Sequence, residues 1–251
     1  MKAACSLCLV LVCFGTGANA QGVLSENQRI HSESLGYTLQ YRVYTPPGFD
    51  AQAKPPVLYL TDGQWYIDQG GFPAVLDDLI LQGTISPVVA VFIDNRNPDQ
   101  LSENRRNSQF FCNPKYESFV SDELVPVVDA AYHTAATRET RAILGLSFGG
   151  LNSACFALHE SETFANIGMQ SPATRPVGSL HSDFQDLETL PIRVFLSSGD
   201  HEDNEAQTRR LRDILETRVE ELEYTEVPFA HTWDNWKPLL DDAAVFFVGL
   251  D

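Results

Sequence analysis

The chain has 251 residues, of which 43% are hydrophobic, and this length and apolar content suffice for one domain with a sizeable core. Its formal net charge is −17, from 34 acidic residues against 17 basic ones. Such a surface repels nucleic acid and anionic membranes, so we expect neither as a partner.

A secretory signal peptide is predicted over residues 1–20. Met1–Lys2 forms a short basic start, an apolar run extends from Leu7 to Phe14, and Ala18–Ala20 has the small-residue pattern of a cleavage site. The apolar run is too short to span a membrane permanently, and no later segment is long enough to do so. We therefore expect a secreted or periplasmic protein without membrane insertion, in which residues 21–251 form a single domain.

Strand-like and helix-like segments alternate along the rest of the chain. Short apolar or alternating runs predict strands at residues 37–44, 56–60, 87–93, 142–144, 167–169, 192–196 and 221–227. Apolar residues at helical spacing predict helices at residues 72–81, 116–132, 151–158, 202–219 and 233–248, and residues 94–114 are predicted to form a long polar loop. The alternation predicts an α/β fold with a mostly parallel central sheet and helices on both faces. In such a sheet the functional residues lie at the carboxyl ends of the strands.

The segment Gly145–Gly150, with the sequence GLSFGG, connects one of these strands to the following helix. A Gly-x-Ser-x-Gly pattern between a strand and a helix is typical of a nucleophile elbow, a strained turn that exposes a serine hydroxyl. The glycines fit this interpretation because bulkier residues would collide with the adjoining strand and helix. Since ordinary Gly/Ser turns also produce the pattern, the assignment of Ser147 as a nucleophile depends on partners elsewhere in the chain.

A base and an acid follow Ser147 in the chain order that such an elbow requires. Asp200 and His231 each come shortly after a predicted strand. We therefore expect Asp200 to orient His231, and His231 to activate the serine. Glu202 and Asp203 compete with Asp200 for the acid role, and their alternative interpretation is capping of the next helix.

Two backbone N–H groups are predicted to stabilise the oxyanion of a tetrahedral intermediate. The first belongs to Phe148, the residue after the nucleophile, and the second to the loop at residues 61–66. Gly63 in this loop allows close approach of the backbone, and we expect Gln64 to be the donor, with Trp65 as the next choice. The alternative for this Asp-Gly pair is an ordinary turn.

Charged and aromatic residues near these segments are candidates for substrate binding. Arg105 and Arg106 lie in the long polar loop, where they either contact a carboxylate or phenolate of the substrate or remain in solvent. Trp65 and Trp233 either form an aromatic wall beside the nucleophile or pack in the core. For each of these residues both interpretations stay open at the level of sequence.

Two cysteines, Cys112 and Cys155, remain after the predicted signal peptide. In an oxidising compartment they either form a disulfide or persist as one buried thiol and one loop thiol. The sequence does not give the distance between them, so both alternatives stay open.

These motifs resemble the esterase D-like branch of the α/β hydrolases, in particular enterochelin-esterase-like proteins and feruloyl and acetylxylan esterases. The resemblance covers residues 35–250. It rests on VLYLTDGQ at 57–64, FID at 92–94 with RRN at 105–107, ELVP at 123–126, GLSFGG at 145–150, SGD at 198–200, and HTW at 231–233 with WK at 236–237. Thr232 departs from the pattern, since many relatives carry Asp there. We also expect no additional N-terminal domain of the kind found in cytosolic enterochelin esterases.

The resemblance implies the α/β-hydrolase fold and a serine carboxylesterase that needs no metal or cofactor. Ser147 would attack the ester, Asp200 would orient His231, and water would hydrolyse the acyl-enzyme. Siderophore-type esters and feruloyl or acetyl esters are the substrates that it implies, and a monomer is expected by default. Two alternatives are an acyltransferase that uses the same triad with a sugar acceptor and a non-catalytic binding module on the same scaffold.

Overall fold

The computed structural model describes residues 21–250, so the predicted signal peptide at 1–20 lies outside the described residues. The strands are β1 Val23–Leu24, β2 Gln28–Ser32, β3 Tyr37–Thr45, β4 Val57–Leu60, β5 Val89–Asp94, β6 Arg96–Asn97, β7 Gln100–Asn104, β8 Arg141–Leu146, β9 Asn166–Gln170, β10 Leu190–Gly199 and β11 Val219–Val227. The helices are α1 Gly63–Trp65, α2 Phe72–Leu81, α3 Arg106–Phe110, α4 Pro114–Ser118, α5 Val125–Tyr132, α6 Phe148–His159, α7 Leu180–Asp186, α8 Glu205–Leu215, α9 Trp233–Trp236 and α10 Leu240–Val248. Short π-helical or 3-10 turns occupy Ala51–Ala53, Tyr66–Gly70, Phe119–Leu124, Arg138–Thr140 and Lys237–Leu239.

Most of the strands form one mixed sheet in the order β1-β3-β5-β4-β8-β9-β10-β11, and β2 also pairs with β3. Every neighbouring pair from β5 to β11 is parallel, whereas β1, β2 and β5 run antiparallel to β3. The parallel pairs are joined through helices, as parallel neighbours require. The carboxyl ends of β4, β8, β9, β10 and β11 therefore meet along one edge of the sheet, where the turns that follow them lie side by side.

The sheet separates two hydrophobic layers, because successive residues of a strand point to opposite faces. In β4, Val57 and Tyr59 pack with helices α3 to α8, and Leu58 and Leu60 pack with α2 and α10. The predicted fold class, a mostly parallel sheet with helices on both faces, is confirmed. Within residues 21–250 no helix is both long and apolar enough to cross a bilayer.

Three predicted segments are more divided than the sequence pattern indicates. The predicted loop at 94–114 contains the β6–β7 hairpin and α3. The amphipathic stretch at 116–132 consists of α4, a π-helical turn and α5, which has Pro126 in its first turn. The last predicted helix divides into α9 and α10 around Pro238. Proline supplies no backbone N–H, so the regular hydrogen-bond pattern changes at both positions.

Candidate active site

Ser147 occupies a strained turn between β8 and α6. Its backbone has φ 56° and ψ −117°, a region that residues other than glycine rarely adopt. The turn is held because the Ser147 amide donates to the carbonyl of Gln170 at 2.8 Å and its carbonyl accepts from Ala173 at 3.0 Å. Strain that is stabilised by surrounding contacts is characteristic of functional positions. The geometry is that of the predicted nucleophile elbow.

The glycines beside Ser147 leave no room for side chains. A Cβ at Gly145 would lie 2.2 Å from the carbonyl oxygen of Gly149, and one at Gly149 would lie 2.7 Å from Oγ1 of Thr61. Both distances are far shorter than a van der Waals contact, so β8, α6 and the turn after β4 can approach this closely only because these positions carry no Cβ. The local pattern thus brings the serine against the turn that follows β4.

His231 and Asp203 complete a hydrogen-bonded array with Ser147. Nε2 of His231 lies 2.8 Å from Oγ of Ser147, and Nδ1 of His231 is hydrogen-bonded to Oδ1 of Asp203. His231 follows β11, and Asp203 follows β10, so the two residues come from neighbouring strand ends. The Asp203 side chain is fully buried, whereas about a third of the His231 side chain is exposed, at 32%. The imidazole of His231 is therefore accessible to solvent, and the carboxylate of Asp203 is shielded from it.

The surroundings of Asp203 favour its ionised form. Burial by itself raises the pKa of Asp203, but hydrogen bonds from His231, Ser171 and the Gly199 amide outweigh burial and lower the pKa to about 2. An ionised carboxylate only accepts hydrogen bonds, so Nδ1 of His231 carries the donated proton. In the neutral imidazole Nε2 is then the unprotonated nitrogen and accepts the Ser147 hydroxyl, which is the tautomer that a general base needs.

The structure corrects the prediction that Asp200 is the acid beside His231. The Asp200 amide donates to the carbonyl of Val227, continuing the β10–β11 pairing by one residue, and its exposed carboxylate bonds instead to His201. Glu202 then has φ 49°, and this left-handed turn reverses the chain direction. The carboxylate of Asp203 thereby reaches the Gly199 amide and accepts a hydrogen bond from it. The capping interpretation of Asp203 is also wrong, because Asn204 is the residue that precedes α8.

The two predicted oxyanion donors both lie in the first turns of helices. Phe148 is the first residue of α6, and Gln64 is the second residue of α1. Amides in a first turn have no partner within their own helix, and the helix dipole there favours negative charge. The side chain of Gln64 is buried, approaches Asn95 at 3.4 Å and lines a separate polar cavity of about 280 Å³. Only the backbone N–H of Gln64 is therefore a candidate for the oxyanion.

Arg106 joins the turn after β4 to the strand that carries Ser147. Its guanidinium bonds to the buried carboxylate of Asp62 at 2.8 Å and to the carbonyl of Leu146 at 3.0 Å. It also lies 5.1 Å from the ring centroids of both Trp65 and Phe148. Arg106 also borders the cleft beside Ser147 while its guanidinium is engaged by these contacts, so a contact between Arg106 and the substrate stays a prediction.

The structure also corrects the prediction for Arg105. Its side chain bonds to Glu103 and to the carbonyl of Thr38, and it stacks 4.3 Å over the ring of Tyr37. These contacts hold it against β3, and it lines neither of the clefts that reach Ser147. Successive residues in a chain point in different directions, so only one of the two arginines faces the serine.

Two clefts meet at Ser147 and His231. The first, of about 310 Å³, is walled by Trp65, Trp233 and Trp236, so the two predicted tryptophans do line the site. The second, of about 460 Å³, is bordered by Phe148 at the start of α6, by Arg175 after β9 and by Gln207 in α8. Two recesses on either side of one hydroxyl can hold the two parts of an ester.

Arg175 is a residue of the second cleft that the sequence did not single out. It is exposed, and within residues 21–250 its guanidinium forms no ion pair. It follows β9 in a loop without regular structure, and no motif surrounds it. Only its place among the residues of the cleft identifies it as a candidate binding group.

A disulfide links Cys112 to Cys155, which decides between the alternatives left open by the sequence. Cys155 is buried within α6, the helix that begins at Phe148. Cys112 lies just after α3, whose first residue is Arg106. The disulfide therefore links the segment that carries Arg106 to α6, the helix that follows Ser147.

The mostly parallel sheet, its two helical layers and the strand–turn–helix at Ser147 define the α/β-hydrolase fold. The family described as Putative esterase matches residues 32–247, and the chain belongs to this family of carboxylic ester hydrolases. The match covers every strand of the parallel sheet and all three residues of the Ser147–His231–Asp203 array.

Two curated proteins and a solved structure that are similar to this chain are esterases by description. A curated endo-1,4-beta-xylanase/feruloyl esterase of Xylanibacter ruminicola is 26% identical over 224 residues, which are 85% of this chain and 30% of that protein. The iron(III) enterobactin esterase of Escherichia coli is 27% identical over 140 residues, which are 56% of this chain and 34% of that protein. The chain thus matches about a third of the length of either relative. A solved ferulic acid esterase has the same fold, with a TM-score of 0.75, 20% identity, and coverage of 91% of this chain and 98% of that one.

Proposed function

We propose that this protein is an exported serine carboxylic-ester hydrolase that works through an acyl-enzyme, with Ser147 as nucleophile, His231 as general base and Asp203 as the acid that orients it. The observation that carries the proposal is the continuous hydrogen-bonded chain from Oγ of Ser147 through His231 to the buried carboxylate of Asp203. Membership of an esterase family supports the same chemistry. Export is supported by the signal-peptide pattern and by the Cys112–Cys155 disulfide, since such bonds persist in oxidising compartments.

The proposed reaction begins when His231 takes the hydroxyl proton of Ser147 at Nε2 and the serine oxygen bonds to the ester carbonyl carbon. Asp203 stabilises the imidazolium that forms. The carbonyl oxygen becomes an oxyanion, which the backbone N–H groups of Phe148 and Gln64 stabilise at the two helix starts. Nε2 then returns the proton to the departing alcohol, which leaves an acyl-enzyme. His231 next takes a proton from a water molecule, whose oxygen bonds to the acyl carbon. The bond from that carbon to Oγ of Ser147 then breaks, Nε2 returns the proton to Oγ, and the carboxylic acid is released.

The substrates of the relatives guide the proposed substrate class. Esters of aromatic acids are proposed because one relative is described as a feruloyl esterase. Such acids bear flat rings, and the tryptophan-walled cleft beside Ser147 offers aromatic faces and edges for them. The second cleft, which carries Arg175, is then available to the other part of the ester.

The test is hydrolysis of a panel of esters by the purified protein: short p-nitrophenyl esters, a feruloylated sugar, an acetylated xylan and a catecholate trilactone. Wild-type protein should hydrolyse at least the p-nitrophenyl esters, and Ser147→Ala should abolish turnover because no other group can form the acyl-enzyme. A fluorophosphonate probe should label Ser147 in the folded protein and fail to label His231→Ala efficiently. Full activity of Ser147→Ala would refute the proposal, and acyl transfer to an added sugar that outpaces hydrolysis would replace it with an acyltransferase.

A further inference from the structure

Ser171 is a buried residue beside the proposed triad that the mechanism above does not use. It follows β9 directly and is fully buried, with φ 46° in the left-handed region. Its amide donates to the carbonyl of Ser197 at 2.7 Å, and its carbonyl accepts from the side chain of Asn204 at 2.9 Å. A serine in a strained backbone conformation with both main-chain groups engaged has a fixed side-chain position.

The hydroxyl of Ser171 has one direction available for its hydrogen. Its oxygen lies 3.0 Å from the amide nitrogen of Asn235 and 2.9 Å from the indole nitrogen of Trp236. An indole N–H can only donate, and the same amide nitrogen lies 2.9 Å from the carboxylate of Asp203, to which it must also donate. Both lone pairs of the hydroxyl are thus occupied. Its hydrogen therefore points to Oδ2 of Asp203, 2.6 Å away.

The two oxygens of Asp203 have unequal surroundings. Oδ2 accepts from Ser171, from Ser198 at 3.1 Å, from the Gly199 amide and from Asn235. Oδ1 bonds to His231. Donors gathered on one side of Asp203 fix the plane of its carboxylate, because any rotation short of a half-turn would break these hydrogen bonds. The remaining oxygen is thereby aimed at Nδ1 of the histidine.

Trp236 connects the same hydroxyl to the other side of the histidine. The ring centroids of Trp236 and His231 are 4.9 Å apart with the planes at 90°, an edge contact. The indole N–H of this tryptophan is the donor to Ser171. The imidazole is therefore held at Nδ1 by Asp203 and at its ring by Trp236. Both Asp203 and Trp236 are hydrogen-bonded to Oγ of Ser171.

We propose that Ser171 is a positioning residue of the esterase site, which sets the orientation of Asp203 and Trp236 and through them that of His231. The inference rests on the proposed function of the Ser147 site. Ser171 contacts neither the serine nucleophile nor the clefts that reach it, so its effect on the reaction is indirect. Its loss should act on the chemical step and leave substrate binding nearly unchanged.

The first test is the Ser171→Ala variant, assayed with a p-nitrophenyl ester. We expect kcat to fall about 10- to 100-fold, since a displaced catalytic group costs a factor of this order, while KM changes less than about two-fold. The matched control is Ser197→Ala, which removes a buried hydroxyl of β10 that has no hydrogen-bond partner within the described residues and keeps the Ser197 carbonyl. The control should retain wild-type kcat. An unchanged kcat in folded Ser171→Ala would overturn the proposal.

The second test observes the histidine directly. The Nδ1 proton shared by His231 and Asp203 should give a low-field proton NMR resonance in wild-type protein, identified by its absence in His231→Ala. Ser171→Ala should shift or broaden this resonance, and Ser197→Ala should leave it in place. If Ser171→Ala does not fold, Trp236→Phe serves instead, because it keeps an aromatic ring at the histidine and removes the N–H donor to Ser171. An unmoved resonance in a folded variant of either kind contradicts the inference.

The resonance also separates two kinds of failure. If wild-type protein hydrolyses no ester, the proposed function fails, but the comparison of resonances still tests whether Ser171 positions His231. If wild-type protein is active and both kcat and the resonance are unaffected by Ser171→Ala, only the positioning role fails.

Discussion

Asp200 and Asp203 lie three residues apart and have opposite surroundings. The Asp203 side chain is fully buried and receives several hydrogen bonds, whereas the Asp200 side chain is 45% exposed and contacts an exposed histidine. A carboxylate in solvent contributes little to a neighbour's orientation, because water competes for each of its hydrogen bonds. The buried residue is the one able to orient an imidazole.

This difference predicts the outcome of matching amide substitutions. Asp203→Asn should reduce kcat about 10³- to 10⁴-fold, because an amide can donate to Nδ1 and so favours the wrong tautomer of His231. Asp200→Asn should keep nearly full activity. The measurement is kcat with a p-nitrophenyl ester, accompanied by a thermal unfolding curve for each variant. A large loss in Asp200→Asn with full activity in Asp203→Asn would reverse the assignment.

Arg175 supplies a second prediction at this scale, on specificity. In a chain of net charge −17, the Arg175 cation borders the second cleft and forms no ion pair with any described residue, so it should attract an anionic group on the substrate. Arg175→Gln should lower kcat/KM for a hemisuccinate ester about 2- to 5-fold, the effect expected of an exposed ion pair, and leave the neutral butyrate ester unchanged.

The control for Arg175 is Arg29→Gln, which makes the same change in net charge on β2, away from both clefts. It should not alter the ratio of kcat/KM for the two esters. An equal loss of kcat/KM for the two esters in Arg175→Gln would show that the arginine does not discriminate between anionic and neutral substrates.

At the scale of elements, the parts of the site that follow from local pattern were predictable. The buried strands Val57–Leu60 and Arg141–Leu146 have continuous apolar runs, and the turn at Ser147 has glycines where neighbours would collide. His231 could be found because it follows a strand and precedes a helix. These features depend on residues close together in sequence, which pattern analysis detects.

The acid and the arginines were not predictable in the same way. Asp203 reaches His231 because Glu202 turns left-handed and because Ser171, from another strand end, donates to it. No local pattern encodes a contact between residues 32 positions apart. Arg105 and Arg106 are identical in type and adjacent, so only the tertiary position of Asp62 distinguishes their roles. The roles of residues that depend on tertiary contacts can be assigned only from the structure.

The disulfide between α6 and the segment after α3 should stabilise the fold. It closes a separation of 43 residues, and removing it in Cys112→Ala/Cys155→Ala should lower the free energy of unfolding by about 2–4 kcal/mol. Urea unfolding of wild-type and double-variant protein measures the difference. Wild-type protein under reducing conditions should approach the stability of the double variant. Equal stability of the oxidised wild type and the variant would contradict this prediction.

The contact between α6 and α4 predicts a pH dependence. Nδ1 of His159 lies 2.9 Å from the buried carboxylate of Glu117, and this hydrogen bond raises the pKa of His159 above its usual value. A raised pKa in the folded state means that the protonated pair stabilises the fold below the unfolded pKa of about 6.5, and that this contribution is lost as pH rises through the folded pKa.

His159→Gln should therefore destabilise the protein more at about pH 5 than at about pH 9, on either side of the histidine pKa. The measurement is the urea midpoint of wild type and variant at both values. A His31→Gln variant, at an exposed position of β2, serves as the control for the substitution itself. A constant difference between His159→Gln and wild type across this range would exclude the proposed linkage.

At the scale of the whole molecule, the excess of acidic residues acts against the compact state. With 34 acids and 17 bases, folding concentrates like charges on the surface of one domain. Exposed ion pairs such as Arg193–Glu221 offset part of this repulsion, but each such pair contributes at most about 1 kcal/mol. Within residues 21–250 the acids that form no ion pair outnumber the ion pairs, so repulsion between carboxylates should dominate the response of stability to salt.

Raising the ionic strength from about 0.01 M to about 0.1 M shortens the screening length from about 30 Å to about 10 Å, less than the width of a domain. At neutral pH this change should raise the thermal unfolding midpoint, because long-range repulsion is screened while short ion pairs lose little. Near pH 4.6, the isoelectric point of the sequence, the net charge is close to zero and the same change should have little effect. Unfolding scans at both pH values, with sodium chloride as the only variable, measure the two responses. A midpoint that falls with salt at neutral pH would mean that local ion pairs, and not the net charge, govern the stability of this acidic fold.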